Sequence, residues 1–282
     1  MKTAKVWFVT GCSSGFGRLL AEQLLARGDK VVATARKLES IQDLESKAQT
    51  QDQLLLLELD VTKLDQIEKA RDATLVRFGR VDALVNNAGY GSVGAIEEVP
   101  EEEIRRVFDT NVFGLIEVTR AFIPQMRVQK SGFILNLSSV AGMVSLPGAG
   151  IYAATKFAVE GITEALAGEL APFGIKVTMV QPGGFRTDFA NRSLNIAPYN
   201  PVYAESLATT RKYYETIGGQ QPGDPAQAVR VMIELADHPN PPLRLPMGKI
   251  ALGRIRKKLE QYISEMETWE KVTLETDFPE HR

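Results

Sequence analysis

A glycine-rich turn between a short strand and a helix constrains the fold of this chain more than any other feature of its sequence. Residues 6–9 are all apolar, as in a buried strand, and the turn 11–17 reads GCSSGFG. Residues 18–26 then repeat apolar side chains at helical spacing. Glycines let the backbone turn sharply and approach a pyrophosphate, whose charge is met by amide groups at the helix start. The segment therefore predicts the first strand and helix of a nucleotide-binding sheet.

Short apolar runs and helical patterns alternate along the rest of the chain, which is typical of a parallel sheet covered by helices on both faces. The fold class is therefore α/β, a single doubly wound Rossmann-type domain of about seven strands over residues 1–282. Candidate strands are 6–9, 31–34, 54–59, 83–85, 133–137, 175–180 and 243–247. Candidate helices are 18–26, 65–78, 101–126, 153–171 and 250–269.

The composition narrows the classes of partner and site. Acidic residues number 35 against 33 Lys and Arg, with no basic stripe, so we expect no nucleic-acid partner. The single cysteine, Cys12, rules out an internal disulfide; we read it as a packing residue, with a redox sensor as the alternative. The two histidines, His238 and His281, are far apart, so we expect no metal site.

The first strand leaves no room for a signal peptide, and no apolar run could span a bilayer. We therefore expect a cytoplasmic protein that does not enter a membrane.

Tyr152 and Lys156 lie four residues apart in one candidate helix and share a face of it. A phenol has a pKa of about 10, and a cation at ~4 Å, in an effective dielectric of ~20, favours the phenolate by up to roughly 4 kcal/mol. This would lower the pKa by ~3, towards the range where acid–base catalysis operates. The same spacing also describes a solvated surface pair, so the catalytic interpretation depends on the other motifs.

Five motifs together resemble the classical short-chain dehydrogenases/reductases, densely over residues 3–190. They are Thr10-Gly11-x-x-x-Gly15-x-Gly17, Asn86-Asn87-Ala88-Gly89, Ser139, Tyr152-x-x-x-Lys156 and Pro182-Gly183. The branch most similar to this chain contains hydroxysteroid and retinol dehydrogenases and bacterial ketone reductases. The chain departs from the common tetrameric members after residue 240, where a proline-rich strand and a charged helix replace their last motif.

The resemblance implies a catalytic tetrad of Asn111, Ser139, Tyr152 and Lys156. In the family a nicotinamide gives hydride to a carbonyl while the tyrosine gives the proton. Lys156 would lower the pKa of that phenol and bind the nicotinamide ribose, and Ser139 would hold the carbonyl oxygen. The family spacing selects Ser139 over Ser138, which we expect to be structural. Asn111 would interrupt a helix and hold a water on the proton path to the lysine.

The end of the second strand predicts the choice of dinucleotide. Arg36 and Lys37 follow Ala35, where an acidic residue would favour NAD(H). A guanidinium binds a 2′-phosphate bidentately, so NADP(H) is favoured; a plain surface charge at Arg36 is the alternative. Ser14 stands where some NADP-binding relatives carry a second basic residue. By resemblance, the cofactor-binding set is Gly11, Ser13, Ser14, Gly15, Phe16, Gly17, Arg36, Lys37, Asp60, Val61, Asn87, Ala88, Gly89, Tyr152, Lys156, Pro182, Gly183, Phe185 and Thr187.

Two further segments bear on the substrate. Ser139 and an apolar wall are expected around it, with core packing as the alternative reading of the wall; the wall is Met143, Val144, Leu146, Phe185 and Phe189. Residues 189–225 place tyrosines among Asn, Pro and Gly, which predicts a cover over the site or else a variable surface loop. Residues 250–270 predict a C-terminal helical extension.

The predicted function is NADP(H)-dependent interconversion of a fairly apolar ketone or aldehyde with its alcohol. A non-catalytic NADP sensor is one alternative, although such relatives tend to lose the tyrosine or the lysine. A nucleotide-sugar epimerase or dehydratase is another, although that branch has differently spaced glycines and a larger second domain. By resemblance, the helices at 101–126 and 153–171 would form a homodimer, and the helix after Ile250 would obstruct a tetramer-forming contact.

Overall fold

A computed structural model describes residues 4–278, including all side chains in that range except those of Ala190 and Asn191. Its strands are β1 Val6–Val9, β2 Lys30–Ala35, β3 Leu54–Glu58, β4 Ala83–Asn86, β5 Gly91–Val93, β6 Gly132–Leu137, β7 Ile175–Pro182, β8 Leu194–Ile196 and β9 Arg244–Met247. Seven of them form one sheet in the order β3-β2-β1-β4-β6-β7-β9, with every neighbouring pair parallel. The strand order reverses between β1 and β4, and ligands of such sheets bind at this switch point, beyond the carboxyl ends of the strands.

Helices connect the strands and cover both faces of the sheet. They are α1 Gly15–Arg27, α2 Leu64–Phe78, α3 Glu101–Phe108, α4 Leu115–Gln129, α5 Gly150–Leu170, α6 Phe189–Arg192, α7 Ala204–Thr216, α8 Pro225–Asp237 and α9 Lys249–Leu274. A π-helical segment, Asp109–Gly114, joins α3 to α4. The predicted α/β architecture of about seven strands is therefore confirmed.

The two faces of the sheet carry separate apolar layers. Trp7 and Phe8 are adjacent in β1 and point to opposite faces, as the two-residue period of a strand requires. Trp7 packs in the layer that contains Leu24 of α1 and Met232 of α8. Phe8 packs in the other layer, against Phe122 of α4 at 4.4 Å between ring centres. With both faces covered, the central strands are buried along their length, which is why they read as continuous apolar runs.

Two features lie outside the predicted pattern. The strands β5 and β8 pair in parallel as a separate two-stranded sheet, but each has three residues, too few to show a period. Helix α8 does carry a readable signal. Asp224 caps it by accepting from the amides of Ala226 and Gln227, and Pro225 occupies its first turn. This combination is typical of a helix start.

Within residues 4–278, no helix combines the length and apolarity that crossing a membrane requires. In the same range, no group of three or more His, Cys, Asp or Glu side chains is placed to hold a metal ion. His281 lies outside the described residues.

Candidate active site

A cavity of about 650 Å³ opens at the carboxyl ends of the sheet strands, on both sides of the switch point. Its floor is made by the turns that follow β1, β2, β4, β6 and β7, and its far wall by α7 and the start of α9. The glycine turn lies at one end, and Ser139 and Tyr152 lie at the other. The single cavity therefore brings together motifs that are more than a hundred residues apart in the sequence.

The glycine turn leaves the start of α1 open to an anion. Gly11 and Gly15 have φ of +73° and +58°, a region that favours glycine. A Cβ on Gly17 would lie 2.4 Å from the carbonyl oxygen of Gly11, so the turn also needs glycine there. No side chain caps α1 at Ser14, and its first turn has no acidic residue. The first amides of α1 are thus available, and these residues fit the pyrophosphate of a dinucleotide.

Cys12 lies inside this turn as a packing residue. It is fully buried, and burial raises the pKa of its thiol to about 12. A thiol with so high a pKa carries almost no thiolate at neutral pH, so it reacts poorly with oxidants.

Thr10 ties the glycine turn to the loop after β4. Its Oγ1 accepts hydrogen bonds from the amides of Asn87 at 3.0 Å and Ala88 at 2.9 Å. The Asn87 amide group in return donates to the carbonyls of Thr10 at 2.8 Å and Gly11 at 2.9 Å. These four bonds hold the two loops at a fixed distance on either side of the switch point.

The side chain of Arg36 lies at the cavity edge beyond β2. Ala35 is buried and Arg36 is exposed, and Arg36 lines the cavity. Within the described part of the chain, Arg36 forms no hydrogen bond or ion pair, so its guanidinium is available to a ligand. Lys37 is also exposed, but it does not line the cavity.

Ser139, Tyr152 and Lys156 meet at the other end of the cavity. Ser139 follows β6, and its hydroxyl oxygen accepts from the Ala141 amide at 3.1 Å. Tyr152 and Lys156 lie one turn apart on α5, with the Lys156 Nζ 5.8 Å from the centre of the phenol ring. The ammonium donates to the carbonyl oxygen of Leu137 at 2.7 Å.

Burial sets the protonation of this pair. It raises the pKa of Tyr152 above its usual value, and interaction with the Ser139 hydroxyl only partly offsets the rise. Burial also lowers the pKa of Lys156 to about 8, and nearby Glu160 acts in the opposite direction. The predicted lowering of the Tyr152 pKa is therefore wrong in direction here, because desolvation of the phenolate outweighs a cation that is bound to Leu137.

Asn111 lies in the π-helical segment behind the cavity. Its Nδ2 donates to the carbonyl of Tyr90 at 2.8 Å and to Thr155 Oγ1 at 3.1 Å, and its Oδ1 accepts from the Tyr90 amide at 3.0 Å. The side chain thus fixes the loop after β4 against α5. A Cβ on Gly89 would approach Asn111 Oδ1 to 2.9 Å, so Gly89 permits this packing. The predicted helix interruption occurs at this residue, while its water-holding role stays a prediction.

A buried carboxylate that the sequence motifs do not include supports the catalytic helix from behind. Glu160, one turn after Lys156, is 5% exposed. It accepts from the hydroxyl of Ser138, from Gln181 Nε2 at 3.1 Å and from Arg244 Nε at 3.1 Å. The Ser138 hydroxyl is therefore bonded to this carboxylate, in keeping with the structural role expected for it.

The remaining walls of the cavity combine aromatic and apolar side chains with polar and charged ones. The ring of Phe189 lies 5.7 Å from that of Tyr152, and the ring of Phe185 lies 5.4 Å from that of Phe16. Further lining residues that the motifs do not identify come from the loop after β4, from α3, from α9 and from residues 192–221, which include α7. They include Tyr90, Arg106, Arg192, Asn195, Tyr213, Tyr214, Gln221, Ile250 and Arg254.

Most of the predicted site residues line this one cavity. They are Gly11, Ser13, Ser14, Gly15, Phe16, Arg36, Asp60, Val61, Asn87, Ala88, Gly89, Ser139, Val144, Leu146, Tyr152, Lys156, Pro182, Gly183, Phe185, Thr187 and Phe189. Four predicted residues do not line it: Gly17, Lys37, Asn111 and Met143. Gly17 and Asn111 support the site from behind.

The sequence matches a family model described as short chain dehydrogenase over residues 5–195. It is 34% identical over 270 residues to the oxidoreductase BOA17 of Botryotinia fuckeliana, which covers 96% of this chain and 98% of that protein. It is 36% identical over 249 residues to the 3-ketodihydrosphingosine reductase of Bacteroides thetaiotaomicron, covering 87% of this chain and 88% of the relative.

Solved structures give the same result. A short-chain dehydrogenase from Streptomyces avermitilis has a TM-score of 0.92 at 45% identity, covering 98% of this chain and 100% of that one. A short chain dehydrogenase/reductase from Burkholderia phymatum in complex with NAD has a TM-score of 0.81 at 27% identity, covering 93% of this chain and 95% of that one. An alcohol dehydrogenase from Thermococcus sibiricus complexed with 5-hydroxy-NADP has a TM-score of 0.70 at 26% identity, covering 87% and 96%. The neighbours thus include proteins with either dinucleotide.

Proposed function

Because the chain belongs to the short-chain dehydrogenase/reductase family, we propose that it is an NADP(H)-dependent enzyme that interconverts a fairly apolar ketone or aldehyde with the corresponding alcohol. The observation that carries this proposal is the single cavity that runs from the open end of α1 to Ser139 and Tyr152. A dinucleotide with its pyrophosphate at the helix start would extend along that cavity towards the two hydroxyl groups.

The protonation of Tyr152 suits the role of proton donor. Because burial raises the pKa of the phenol, Tyr152 is protonated at neutral pH and can donate to a carbonyl oxygen as negative charge develops there. The neighbouring Ser139 hydroxyl can donate a second hydrogen bond to the same oxygen and fix its position. When bound, the nicotinamide cofactor supplies the hydride. In the oxidative direction the same phenol would have to lose its proton first, which the burial disfavours.

Lys156 supports this chemistry from the next turn of α5. Its pKa of about 8 lies near working pH, so the amine can hold or release a proton close to the phenol. Its bond to the Leu137 carbonyl keeps the Nζ at the floor of the cavity, where a ribose hydroxyl could approach it. We propose that Asn111 acts as a positioning residue by fixing the Tyr90 backbone, and does not touch the reacting atoms.

Arg36 supports the preference for NADP(H). The residues directly after β2 are Arg36 and Lys37, and the Arg36 guanidinium is free of ion pairs within the described residues while lining the cavity. A free guanidinium at the ribose end of a dinucleotide site would bind a 2′-phosphate bidentately. The exposed carboxylate of Glu58, at the end of β3, does not line the cavity and so does not compete for the 2′-hydroxyl.

Apolar and aromatic side chains that line the cavity support an apolar substrate. Val144, Leu146 and Phe189 face the cavity, and Tyr213 and Tyr214 close it from α7. A relative named as a 3-ketodihydrosphingosine reductase is consistent with a ketone substrate for a chain of this type. We therefore expect aryl and long-chain ketones to be better substrates than acetone-sized ones.

The proposal is tested with a series of ketones and aldehydes of increasing length, followed by NADPH absorbance. Each buried methylene should add roughly 1 kcal/mol, or about fivefold in kcat/KM, until the cavity is filled. Flat kcat/KM across the series would reject the apolar substrate class. Tight NADPH binding without turnover of any carbonyl or alcohol would instead favour the non-catalytic sensor.

A further inference from the structure

The C-terminal helix α9 leaves the body of the protein after its second turn. Ala251 and Ile255 are its buried residues, and every residue from 256 to 274 is exposed. This free part spans roughly five turns. An isolated helix of that length is marginal in water, and helices in proteins are stabilised mainly by packing an apolar face. An extended free helix therefore calls for a partner.

The free part carries an apolar stripe on one face. The stripe consists of Leu259, Tyr262, Ile263, Met266 and Trp269, which are 45%, 55%, 51%, 48% and 62% exposed. Leu252 and Ile255 precede it, and positions 252, 255, 259, 262, 266 and 269 are separated alternately by three and four residues, with Ile263 beside them. That alternation is the a/d pattern of a coiled-coil seam, so the stripe fits a second helix along its whole length. We refer to it as the α9 stripe.

The charges that flank the α9 stripe change sign along the helix. Arg256 and Lys258 lie beside the a/d seam in its first half, and Glu265 and Glu270 lie beside it in its second half. A second α9 in parallel orientation would place basic against basic and acidic against acidic. An antiparallel copy would place each basic half beside an acidic half. Opposite charges at the positions that flank a coiled-coil seam favour this orientation.

We propose that a second copy of this chain covers the α9 stripe, with the two α9 helices antiparallel about a two-fold axis near the middle of the free part. The two halves of the helix are complementary to each other in charge, as a two-fold symmetric interface requires. The inference goes beyond the proposed function and does not depend on it.

The orientation is tested by cross-linking the full-length protein. Cys12 is buried, so an introduced thiol on α9 is the reactive one. Two variants, Arg256→Cys and Glu270→Cys, carry different tags and are coexpressed. The purified mixture is then treated with a short bismaleimide, which links two thiols that lie close together. Antiparallel pairing joins the two variants to each other and leaves either one alone largely unlinked. Self-linking of each single variant, or no linking in the mixture, would overturn the proposal.

A second comparison assigns the contact to the α9 stripe. Leu259→Asn with Met266→Asn, added to both cysteine variants, should reduce cross-linking at least tenfold. The matched control, Gln261→Asn with Thr268→Asn, lies on the opposite face of the same exposed turns and should leave it unchanged. Equal cross-linking in the two double variants would refute a role for the stripe. Binding of the uncross-linked wild type to phosphatidylcholine–phosphatidylglycerol vesicles, lost in the stripe variant only, would assign the stripe to a lipid surface and also overturn the proposal.

Discussion

At the scale of single residues, burial controls the two groups on which the proposed chemistry depends. Tyr152 and Lys156 sit on adjacent turns, and burial moves their pKa values in opposite directions, each towards the uncharged form. The sequence pattern identifies the pair correctly as neighbours, but it contains no information on desolvation. That is why the predicted direction of the Tyr152 shift differs from the one found.

Removal of the phenol tests Tyr152 directly. Tyr152→Phe keeps the ring that packs against Phe189 and removes only the proton donor. We expect NADPH affinity close to wild type, measured by nucleotide fluorescence, and a loss of kcat of about 10²–10⁴-fold. Retention of more than about a tenth of wild-type kcat would show that another group is the acid.

Arg36→Asp tests the choice of cofactor. The loss of a charge-assisted phosphate contact should cost about 2–3 kcal/mol, or about 30- to 150-fold in NADPH affinity. NADH affinity should change little, because NADH has no 2′-phosphate. Lys37→Asp is the matched control, since that side chain is equally exposed but does not line the cavity. Equal losses for the two cofactors would make Arg36 a structural residue.

Lys156 also predicts a dependence of stability on pH. Its pKa is lowered from 10.5 to about 8, so the unfolded chain binds more protons than the native protein between these values. Below pH 8 the buried ammonium lowers the free energy of unfolding by its full amount. This loss of stability disappears as the pH rises towards 10.5, because the unfolded chain then also loses the proton. Relative to Lys156→Met, wild type should therefore gain free energy of unfolding from pH 8 to 10 in urea titrations. Parallel curves for the two proteins would contradict the lowered pKa.

At the scale of elements, α7 is held over the cavity by one buried carboxylate. Glu98 lies in the loop after β5, its side chain is 1% exposed, and it accepts from Arg211 of α7 at 2.9 Å and 3.0 Å. The same carboxylate accepts from the amides of Ala95 at 2.7 Å and Asn200 at 3.0 Å. Within the predicted cover, residues 189–225, Glu98 thus binds Asn200 just before α7 and Arg211 inside α7.

Glu98→Gln should release this cover. Breaking a buried ion pair costs about 3–5 kcal/mol because one charge stays buried without a partner. We expect amide exchange in α7 to accelerate at least tenfold and KM for long-chain ketones to rise. Glu97→Gln is the control, because the Glu97 carboxylate accepts a hydrogen bond from the Tyr203 hydroxyl at the exposed surface and is not part of the buried ion pair. If exchange in α7 is unchanged, the segment does not behave as a cover held by Glu98.

The same contacts show which parts of the site can be predicted from sequence. The strands of the main sheet and the glycine turn are local patterns, so periodicity and spacing identify them. The pairing of Glu98 with Arg211, 113 residues apart, and of Glu160 with Arg244, 84 apart, depends on how the chain returns to the sheet. No local pattern encodes these pairings, and the small β5–β8 sheet escapes prediction for the same reason.

At the scale of the whole molecule, two exposed surfaces of the described residues bear on how copies of the chain could pair. One is on α5, where Ala154, Phe157 and Gly161 are exposed on a common face. This surface lies on one of the two helices through which the sequence predicts a homodimer. That homodimer stays a prediction. The other is the α9 stripe. Because the two surfaces are separate, pairing through both along different axes would take the assembly beyond two copies.

The position of β1 in the sheet has a consequence for folding during synthesis. Among the described strands it comes first in the sequence, yet it lies in the interior of the sheet between β2 and β4. Its residue Trp7 packs in a layer that includes α8, which follows all but one strand of the main sheet in the sequence. Contacts this distant in sequence form slowly, so the Trp7 face of β1 stays incompletely covered until α8 has been synthesised. Depletion of chaperones during translation should therefore lower the yield of folded protein.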